Sequence, residues 1–472
     1  MAIIHKGSWL RPSKLELLTA WMGSQRWYAA KGRQPVLTSL AAWRLGDPQG
    51  QVGIETHIVL DTAGDRPIVY QVPLTYRGSP LQDAEHALVG EMEHGTLGPR
   101  WVYDAPHDPV YAAALLALIL GRALAESSSA TDEPDERFIG ERAATWTDEI
   151  QVGGSRVVSG EQSNSSVIID STTDDGRARP VIIKIFRMLA DGENPDVVVQ
   201  TALRAAGCDR VPDVVGSVRG SWPSTIEAGS GTAKGHLAFA QEFLPGVEDA
   251  WPVALRRARL GESVHDEAHS LGRATAEVHR TLASALGTSP TTPEVVQEVL
   301  TAMRARRAAA VAEVPELAGL EAAVEAVLER ARGDHWPARQ RVHGDYHLGQ
   351  VLRSPEHGWI LLDFEGEPLR PLAERSGPDH WLRDIAGMLR SFDYAGGSVE
   401  HDSGGSARAW VQDAQTAFLD GYAEVGEDPR AHAAVLAAYE IDKAMYEVVY
   451  EARNRPDWLE IPLGAIRRLT TT

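Results

Sequence analysis

The sequence contains little cysteine, little positive charge and no long apolar segment. Cys208 is the one cysteine among its 472 residues, which excludes an intramolecular disulfide framework and a cysteine-rich zinc site. Lysine and arginine total 46 against 66 aspartates and glutamates, giving a formal net charge of −20. This imbalance argues against nucleic acid and anionic membrane surfaces as partners, because their phosphates would be repelled.

The apolar segments are too short for a membrane protein. The longest run, residues 110–120, cannot span a bilayer and predicts a buried helix. The first ten residues lack the apolar core of a secretory signal. These features predict a soluble, cytoplasmic protein, whose length allows two or three domains at roughly 150 residues each.

Apolar periodicity divides the chain into a mixed, a strand-rich and a helical part. A helix is predicted near residues 13–22, and strands are predicted near 52–60, 67–73, 150–159, 166–170 and 181–187. A polar, acidic stretch at residues 127–136 predicts a surface loop. From about residue 251 onward, alanine, leucine and charged residues recur at helical spacing. A strand-rich part followed by a helical part is the order of the two lobes of a protein kinase.

The strongest functional signal is a spaced set of polar residues between positions 343 and 365. A His-Gly-Asp turn ends at Asp345, the amide residue Gln350 follows five positions later, and Asp363 of an Asp-Phe pair follows after eighteen. Protein kinases space a base and two magnesium ligands in this way. The pattern predicts that Asp345 orients an acceptor hydroxyl while Gln350 and Asp363 hold Mg²⁺. Glu365 is a further candidate ligand, or alternatively the partner in an ion pair.

Two histidines flank the predicted base. His343 is predicted to tie the backbone of the turn rather than to carry a proton. His347 lies between the base and the first predicted magnesium ligand and has no partner readable from the sequence. It is a candidate contact for the acceptor.

A lysine within an apolar strand indicates where nucleotide phosphates would bind. Lys184 interrupts an otherwise apolar segment, where a charge rarely lies unless it is paired, and the phosphate-binding lysine of kinases fits this position. The alternative is a lysine on an edge strand that reaches solvent. The preceding turn contains Ser163, Asn164 and Ser165, which could offer hydroxyl and N–H groups to phosphate. A plain polar hairpin turn fits that segment equally well.

Two further segments are candidates for ligand contacts. Residues 239–246 pass from an apolar strand to a turn and predict a hinge between lobes, where Glu242 is a candidate adenine contact. Near the C-terminus, Tyr439, Lys443, Tyr446, Glu447 and Tyr450 share one helical face. Alternating aromatic and charged groups suit a sugar, with its apolar faces and ring of hydroxyls. An amphipathic helix with ordinary ion pairs is the alternative.

These observations predict an α+β protein with a two-lobed, protein-kinase-like fold, in which a β-rich N-lobe precedes a helical C-lobe. An N-terminal α/β cap subdomain is expected in front, at residues 1–95. Residues 96–244 would form the N-lobe or intermediate subdomain with the nucleotide-phosphate contacts. Residues 245–472 would form the helical C-lobe with the catalytic loop and the sugar site. The segment at residues 25–33 is too aromatic and basic for an ordinary linker, and Trp27 is predicted to pack on the core.

The chain resembles a known family over nearly its whole length. The segments that carry the resemblance are Gln25-Arg26-Trp27-Tyr28-Ala29, residues 161–167, Lys184-Ile185-Phe186-Arg187, Asn194-Pro195-Asp196, residues 343–350, 362–368 and 382–392, and the block from Tyr439 to Trp458-Leu459-Glu460-Ile461-Pro462-Leu463. On these segments it is similar to the actinobacterial maltokinases, a branch of the aminoglycoside-phosphotransferase-like kinases with an N-terminal cap. The C-terminal block is the specific part, because the catalytic spacing alone indicates only a kinase.

The resemblance implies a reaction and roles for particular residues. The reaction is phosphorylation of the anomeric hydroxyl of maltose by ATP with Mg²⁺, giving maltose 1-phosphate for α-glucan and glycogen synthesis. The implied roles are base for Asp345, magnesium ligands for Gln350 and Asp363, phosphate contact for Lys184, and maltose contacts for Asp442, Lys443, Tyr446 and Glu447. The resemblance also implies an association with a maltose-producing trehalose synthase. Apart from that association, the protein is expected to be a monomer.

The sequence departs from the family pattern at two positions. Val198 stands where a glutamate is usual, which removes the expected partner of Lys184 and leaves Asp196 as a substitute. Tyr346 stands beside the base in place of the usual leucine and could narrow the acceptor pocket. Neither departure changes the predicted base or magnesium ligands.

Other functions remain open at the level of the sequence. A kinase of the same fold could act on glucosamine, glucose or an aminoglycoside, although an aminoglycoside pocket would need many carboxylates. A non-catalytic, nucleotide- or sugar-sensing pseudokinase is a second alternative, and the intact Asp345, Gln350, Asp363 and Lys184 count against it. A third is an assembly subunit of a glucan-synthesis complex, which is compatible with catalysis.

Overall fold

Two antiparallel sheets form the framework of the N-terminal half in the computed structural model, which describes residues 9–129, 133–158, 163–224, 231–367 and 370–471. The strands are β1 (Leu10–Arg11), β2 (Leu37–Leu45), β3 (Gly53–Asp61), β4 (Ile68–Arg77), β5 (Leu88–His94), β6 (Gly98–Asp104), β7 (Glu126–Ser127), β8 (Phe138–Arg142), β9 (Ile150–Val157), β10 (Asn164–Thr173), β11 (Val181–Phe186), β12 (Met188–Leu189), β13 (Val214–Pro223) and β14 (Thr232–Glu242). The first sheet has the order β1-β5-β6-β4-β3-β2-β7, with β12 paired to β4. The second has the order β8-β13-β14-β11-β10-β9.

Helices α1 (Lys14–Trp21) and α2 (Pro109–Ile119) accompany these sheets. Helix α1 begins with a capping box between Ser13 and Glu16, which satisfies backbone N–H groups that the first turn leaves without partners. Helix α2 is apolar on nearly all sides and lies in one core cluster with residues of both sheets. The buried helix predicted for residues 110–120 is confirmed, as are the helix near 13–22 and the strands near 52–60 and 67–73.

The segment at residues 25–33 is a turn that covers the first sheet. Trp27 and Tyr28 are 5% and 1% exposed and pack against Tyr70 of β4, with ring centroids 5.7 and 5.8 Å away. The predicted core packing of Trp27 is therefore confirmed. The loop predicted at residues 127–136 is partly sheet, because β7 includes Ser127 and Pro134 bridges to Glu126. Residues 130–132 of that loop lie outside the described part of the chain.

Helices dominate the C-terminal half. They are α3 (Pro195–Ala205), α4 (Ala250–Leu260), α5 (His265–Leu286), α6 (Pro293–Glu313), α7 (Glu321–Arg332), α8 (Leu372–Arg375), α9 (Leu382–Ser403), α10 (Arg408–Ala423), α11 (Ala433–Asn454) and α12 (Glu460–Thr471). The short strands are β15 (Glu248–Asp249), β16 (Thr288–Ser289), β17 (Arg339–Gln340), β18 (Val351–Ser354) and β19 (Gly358–Leu361). The helical region predicted from about residue 251 is confirmed.

The chain divides into two units, residues 1–197 with 213–244 and residues 198–212 with 245–472. The second unit has its main core among α5, α9, α10 and α11, where Leu271, Leu389, Phe418 and Leu436 are buried. The predicted boundaries of the cap (residues 1–95), the N-lobe or intermediate subdomain (96–244) and the C-lobe (245–472) stay predictions. Residue 95 falls in the turn between the paired strands β5 and β6. No helix in the described ranges has the length and apolarity to cross a bilayer.

Candidate active site

The His-Gly-Asp turn is held by a buried carboxylate at the start of α9. Asp384 accepts hydrogen bonds from the backbone N–H groups of His343 (2.7 Å) and Gly344 (2.9 Å). His279 of α5 lies 3.0 Å from the same carboxylate. Burial by itself would raise the pKa of Asp384, but hydrogen bonds from His279 and the Gly344 N–H hold it below its ordinary value. Asp384 therefore fixes the turn that presents Asp345.

Gly344 and His343 make the turn possible. Gly344 has a φ of +84°, and a Cβ there would lie 3.2 Å from the Cα of Gly366, so a side chain would be strained as well as crowded. His343 is 2% exposed and its Nε2 lies 2.8 Å from the carbonyl oxygen of Leu362. The predicted backbone-tying role of His343 is confirmed.

The carboxylate of Asp345 is paired with a lysine of α11. Lys443 Nζ donates to Asp345 Oδ1 and to Glu367 Oε1, each at 3.0 Å. Burial by itself would lower the pKa of Lys443, but the charges of Asp345 and Glu367 raise it above the ordinary value. For Glu367, burial acts to raise the pKa, and Lys443, Arg383 and Arg370 together lower it to about 2. The predicted base thus lies in a network of fixed charges.

A small cavity of about 30 Å³ lies beside this network. Its lining includes the carboxylates of Asp345, Glu367 and Asp442, the cations of Lys443, Arg306, Arg370 and Arg383, and the ring of Tyr446. Four cations face three carboxylates around this cavity.

Each of the remaining acids in the cavity has an arginine partner. Arg306 donates to both oxygens of Asp442, at 2.8 and 2.7 Å. Glu367 Oε2 lies 2.9 Å from Arg370 Nε and 2.9 Å from Arg383 Nη2. The negative charge of the cavity is therefore already balanced by this chain's own side chains.

The structure brings together some of the predicted acceptor contacts and separates others. Asp442, Lys443 and Tyr446 line the cavity with Asp345. Glu447 and His347 are not among the described residues that line the cavity. The Glu447 carboxylate accepts from Nη2 and Nε of the buried Arg390, at 2.6 and 3.0 Å. His347 caps a short 3₁₀ turn through the Gly349 N–H (3.0 Å), and burial lowers its pKa.

Tyr346 also lines the cavity, but its ring is 2% exposed and its hydroxyl lies 2.8 Å from Thr275 Oγ1. This hydrogen bond to α5 anchors the phenol. The prediction that Tyr346 could narrow the acceptor pocket remains a prediction. Glu367, Arg383 and Asp384 were not assigned to the site from the sequence, because each lay within a family segment and carried no motif of its own.

The predicted magnesium ligands lie side by side. Gln350 Nε2 donates to Asp363 Oδ2 at 3.1 Å, and Glu365 follows Asp363 after one residue. Asp363 has a φ of +63°, a left-handed conformation that is uncommon for a residue with a side chain and is found at functional sites. An amide oxygen and carboxylates are hard oxygen donors, so this set of residues fits Mg²⁺.

In the first unit, Lys184 lies in the middle of a sheet. It pairs with Ser166 of β10 on one side and with Phe239 of β14 on the other. The alternative of an edge-strand lysine is therefore wrong. Lys184 Nζ donates to Asp196 Oδ2 at 3.3 Å, and that carboxylate is 2% exposed. Asp196 is thus an ion-pair partner of Lys184, in place of the glutamate that is usual at position 198.

Two of the other predicted nucleotide contacts, Ser165 and Glu242, have defined partners in the same unit. Ser163 directly precedes β10, and Asn164 and Ser165 belong to it; Ser165 Oγ accepts from Arg187 Nε at 2.9 Å. Residues 161 and 162 of that turn lie outside the described residues. The side chain of Glu242 pairs with Arg179, and its N–H donates to the Asp213 carbonyl at 2.8 Å. The predicted adenine contact of Glu242 stays a prediction.

An aspartate on a His-Gly-Asp turn, adjacent oxygen-bearing side chains and a strand lysine paired with a carboxylate are the parts expected of a kinase-like phosphotransferase. Residues 156–436 match the family described as "Phosphotransferase enzyme family", and residues 21–108 match the "Maltokinase N-terminal cap domain". The chain belongs to the phosphotransferase enzyme family and carries a maltokinase-type cap. The predicted two-lobed fold with a cap and the resemblance to the maltokinase branch are confirmed.

Two of the similar proteins carry the name glucosamine kinase. The chain is 30% identical over 358 residues to a glucosamine kinase of Streptacidiphilus jiangxiensis, covering 70% of this chain and 76% of that protein. It is 26% identical to a glucosamine kinase of Mycolicibacterium smegmatis, covering 67% and 79%. The structure of a glucosamine kinase in complex with glucosamine, ADP and inorganic phosphate aligns with a TM-score of 0.66 and 24% identity, covering 97% of this chain and 99% of that one. This last similarity concerns the fold alone.

Proposed function

We propose that this protein transfers the γ-phosphoryl group of ATP to the anomeric hydroxyl of maltose, producing maltose 1-phosphate for α-glucan synthesis. The observation that carries the proposal is the cavity beside Asp345, whose three carboxylates are each paired with a lysine or an arginine. The maltokinase-type cap supports the same branch of the family. A maltose-producing trehalose synthase as a partner remains part of this proposal, and co-elution of the two proteins would test it.

In this mechanism the chain positions and polarises the reacting groups. Asp345 accepts a hydrogen bond from the sugar hydroxyl, takes its proton as the oxygen attacks phosphorus, and keeps its orientation through Lys443. Lys184 contacts the nucleotide phosphates and is oriented by Asp196. Gln350 and Asp363, with Glu365 beside them, would hold Mg²⁺, which supplies charge neutralisation at the transferring phosphoryl group.

The charges around the cavity favour a neutral acceptor. An ammonium group of an amino sugar binds well where a carboxylate lacks a partner, but Asp345, Glu367 and Asp442 are each paired with a lysine or arginine. Asp379 adds a fourth carboxylate at 2.8 Å from Arg383, so four cations and four acids leave no net negative charge to attract a further cation. A neutral sugar meets no such penalty, and the Tyr446 ring beside Lys443 offers an apolar face.

Glucosamine is the second candidate acceptor, and the glucosamine kinases among the similar proteins favour it. ADP release would distinguish the two, measured with Mg²⁺ and ATP across maltose, glucose, glucosamine, kanamycin and no acceptor. Turnover with maltose alone, lost on addition of EDTA, is the expected result. Turnover with glucosamine alone would reject the maltose assignment and keep the phosphotransfer chemistry. Nucleotide binding without turnover on any acceptor would indicate a sensing module.

The Lys443→Gln variant should change the acceptor preference. Without the ammonium group, Asp345 becomes an unpaired carboxylate that attracts a cationic sugar, while Glu367 keeps Arg370 and Arg383 as partners. The glucosamine-to-maltose ratio of kcat/KM should therefore rise about tenfold. Lys443→Arg keeps the charge and should leave the ratio near the wild-type value. Steady-state kinetics with both sugars checks this, and an unchanged ratio in Lys443→Gln would contradict the role of charge in selection.

The Lys184→Met variant should lower kcat/KM for ATP by about a hundredfold or more, because it removes the cation that contacts the phosphates. Lys234→Met is a matched control, since Lys234 is exposed on β14 of the same sheet. Initial rates at varied ATP concentrations measure the effect, and thermal unfolding verifies that both variants are folded. Equal activity of the two variants would show that Lys184 does not contact the nucleotide.

A further inference from the structure

A wide cleft in the first unit is separate from the cavity beside Asp345. Its volume is about 990 Å³, the size of a ligand site for a nucleotide or a sugar phosphate. One wall comes from the turn at residues 25–31 and from His86 and His107 of the cap region. The other comes from residues 155–158 at the end of β9 and from Ser165 at the start of β10. The proposed reaction uses none of the cap residues.

The lining of this cleft is positively charged although the chain as a whole is strongly acidic. Arg26, Lys31 and Arg156 line it together with two acids, Asp83 and Asp104. Asp104 accepts from Arg187 Nη2 with both oxygens, at 2.8 and 2.7 Å. The lining therefore carries three cations and two acids, a net positive charge, in a chain of formal net charge −20. Such a local reversal of sign attracts anions.

The cations are held in place by the backbone and by a neighbouring strand. Lys31 Nζ donates to the carbonyl oxygens of Gln25 (2.6 Å) and Arg26 (3.0 Å), and a lysine ammonium has three donors. Within the described residues no carboxylate lies in ion-pair range of Lys31, so its charge is uncompensated locally. Arg156 is anchored at 2.9 Å by Asp170 of β10, which is itself exposed.

A buried arginine fixes the wall behind these groups. Arg187 is 0% exposed and contacts three residues that line the cleft: Ser165 through Nε, Asp104 through Nη2, and the ring of Trp27, whose centroid lies 4.9 Å from the guanidinium carbon. Its Nη1 is buried and has no hydrogen-bond partner within the described part of the chain. Arg187 and Asp104 thus form a buried ion pair that holds Ser165, Asp104 and Trp27 in place along this wall.

We propose that this cleft is a second anion site, which binds the phosphate group of a ligand other than the nucleotide that Lys184 contacts. Arg26 and Arg156 offer planar donors suited to phosphate oxygens, Lys31 offers a point charge, and the volume leaves room for the rest of a nucleotide- or sugar-phosphate-sized molecule. Ser165 borders both sites, since the next residue, Ser166, pairs with Lys184. The test must therefore separate the cleft from the nucleotide site.

The test is calorimetric titration of inorganic pyrophosphate, without Mg²⁺, into the full-length protein. Lys31→Gln and Arg156→Gln should each weaken the binding about fivefold, as expected for loss of one partly exposed charge contact. Arg33→Gln is the matched control, because Arg33 belongs to the same basic segment but pairs with Asp65 at 3.0 Å and is not among the residues that line the cleft. It should bind like the wild type, and so should Lys184→Met.

A second titration, with the nucleotide site saturated by ADP, shows whether pyrophosphate binds in the cleft or in the nucleotide site. The dissociation constant for pyrophosphate should be unchanged by ADP. Absence of pyrophosphate binding to the wild type, loss of binding on ADP addition or in Lys184→Met, or insensitivity to both cleft substitutions would overturn the proposal. Because Lys31 also bonds to its own turn, Arg156→Gln on β9 provides an independent variant whose fold does not depend on that turn.

Discussion

Replacing Asp345 by asparagine should lower kcat about a thousandfold, with little change in the binding of ATP. Asparagine has nearly the size of aspartate but cannot accept the proton of the attacking hydroxyl, and positioned general bases contribute roughly 10²–10⁴ to the rate. Its amide oxygen can still accept from Lys443, and Glu367 remains to balance the ammonium charge. The variant should therefore fold normally, and its loss of kcat can be attributed to the chemical step.

The comparison variant is Asp442→Asn at the same cavity. Asp442 is held by Arg306 through two hydrogen bonds and is proposed to contact the sugar, so its substitution should act mainly on KM for the acceptor. Steady-state kinetics on both variants, with ATP binding measured separately, gives the two patterns. If Asp345→Asn retains more than about a tenth of the wild-type kcat, the role of base must belong to another group.

Replacing Asp384 by asparagine should destabilise the second unit by about 3 kcal/mol and lower kcat about tenfold or more. The carboxylate accepts from two backbone N–H groups and faces His279, with 1% of the residue exposed. An amide NH₂ in that position cannot accept, so at least one buried N–H group loses its partner. The His-Gly-Asp turn then loses the support that fixes Asp345.

Thermal unfolding and initial rates measure the two effects, and Asp420→Asn on α10 is the control. Asp420 forms an exposed ion pair with Arg430, with 47% of its side chain accessible, and such pairs contribute less than about 1 kcal/mol. A stable Asp384→Asn variant with normal kcat would show that the turn keeps its geometry without this carboxylate.

The sequence predicts the parts of the fold that depend on local pattern. Asp345, Gln350 and Asp363 lie within nineteen residues, so this candidate catalytic segment can be recognised from the sequence without a structure. Lys184 was predicted correctly as a strand residue, and its place between β10 and β14 required knowing how the strands pair. Pairing depends on contacts between distant segments, which periodicity does not encode.

The parts that were missed are contacts between residues far apart in sequence. Lys443 was expected on the sugar-facing side of a helix, but its bond to Asp345 joins positions 98 residues apart. The bond between Glu242 and Arg179 spans 63 residues and occupies a side chain that was assigned to the nucleotide. Both ion pairs depend on tertiary packing, and no local motif predicts them.

The three cations near Asp345, namely Arg370, Arg383 and Lys443, have a consequence for inhibitor chemistry. Sugar analogues that carry a carboxylate or sulfonate near the reacting carbon would meet Arg370, Arg383 and Lys443 with favourable electrostatic energy. Aminated analogues of the same shape would meet repulsion from the same groups. Compounds selected on this difference would discriminate between this enzyme and kinases whose acceptor pockets are acidic, without any need to imitate the nucleotide.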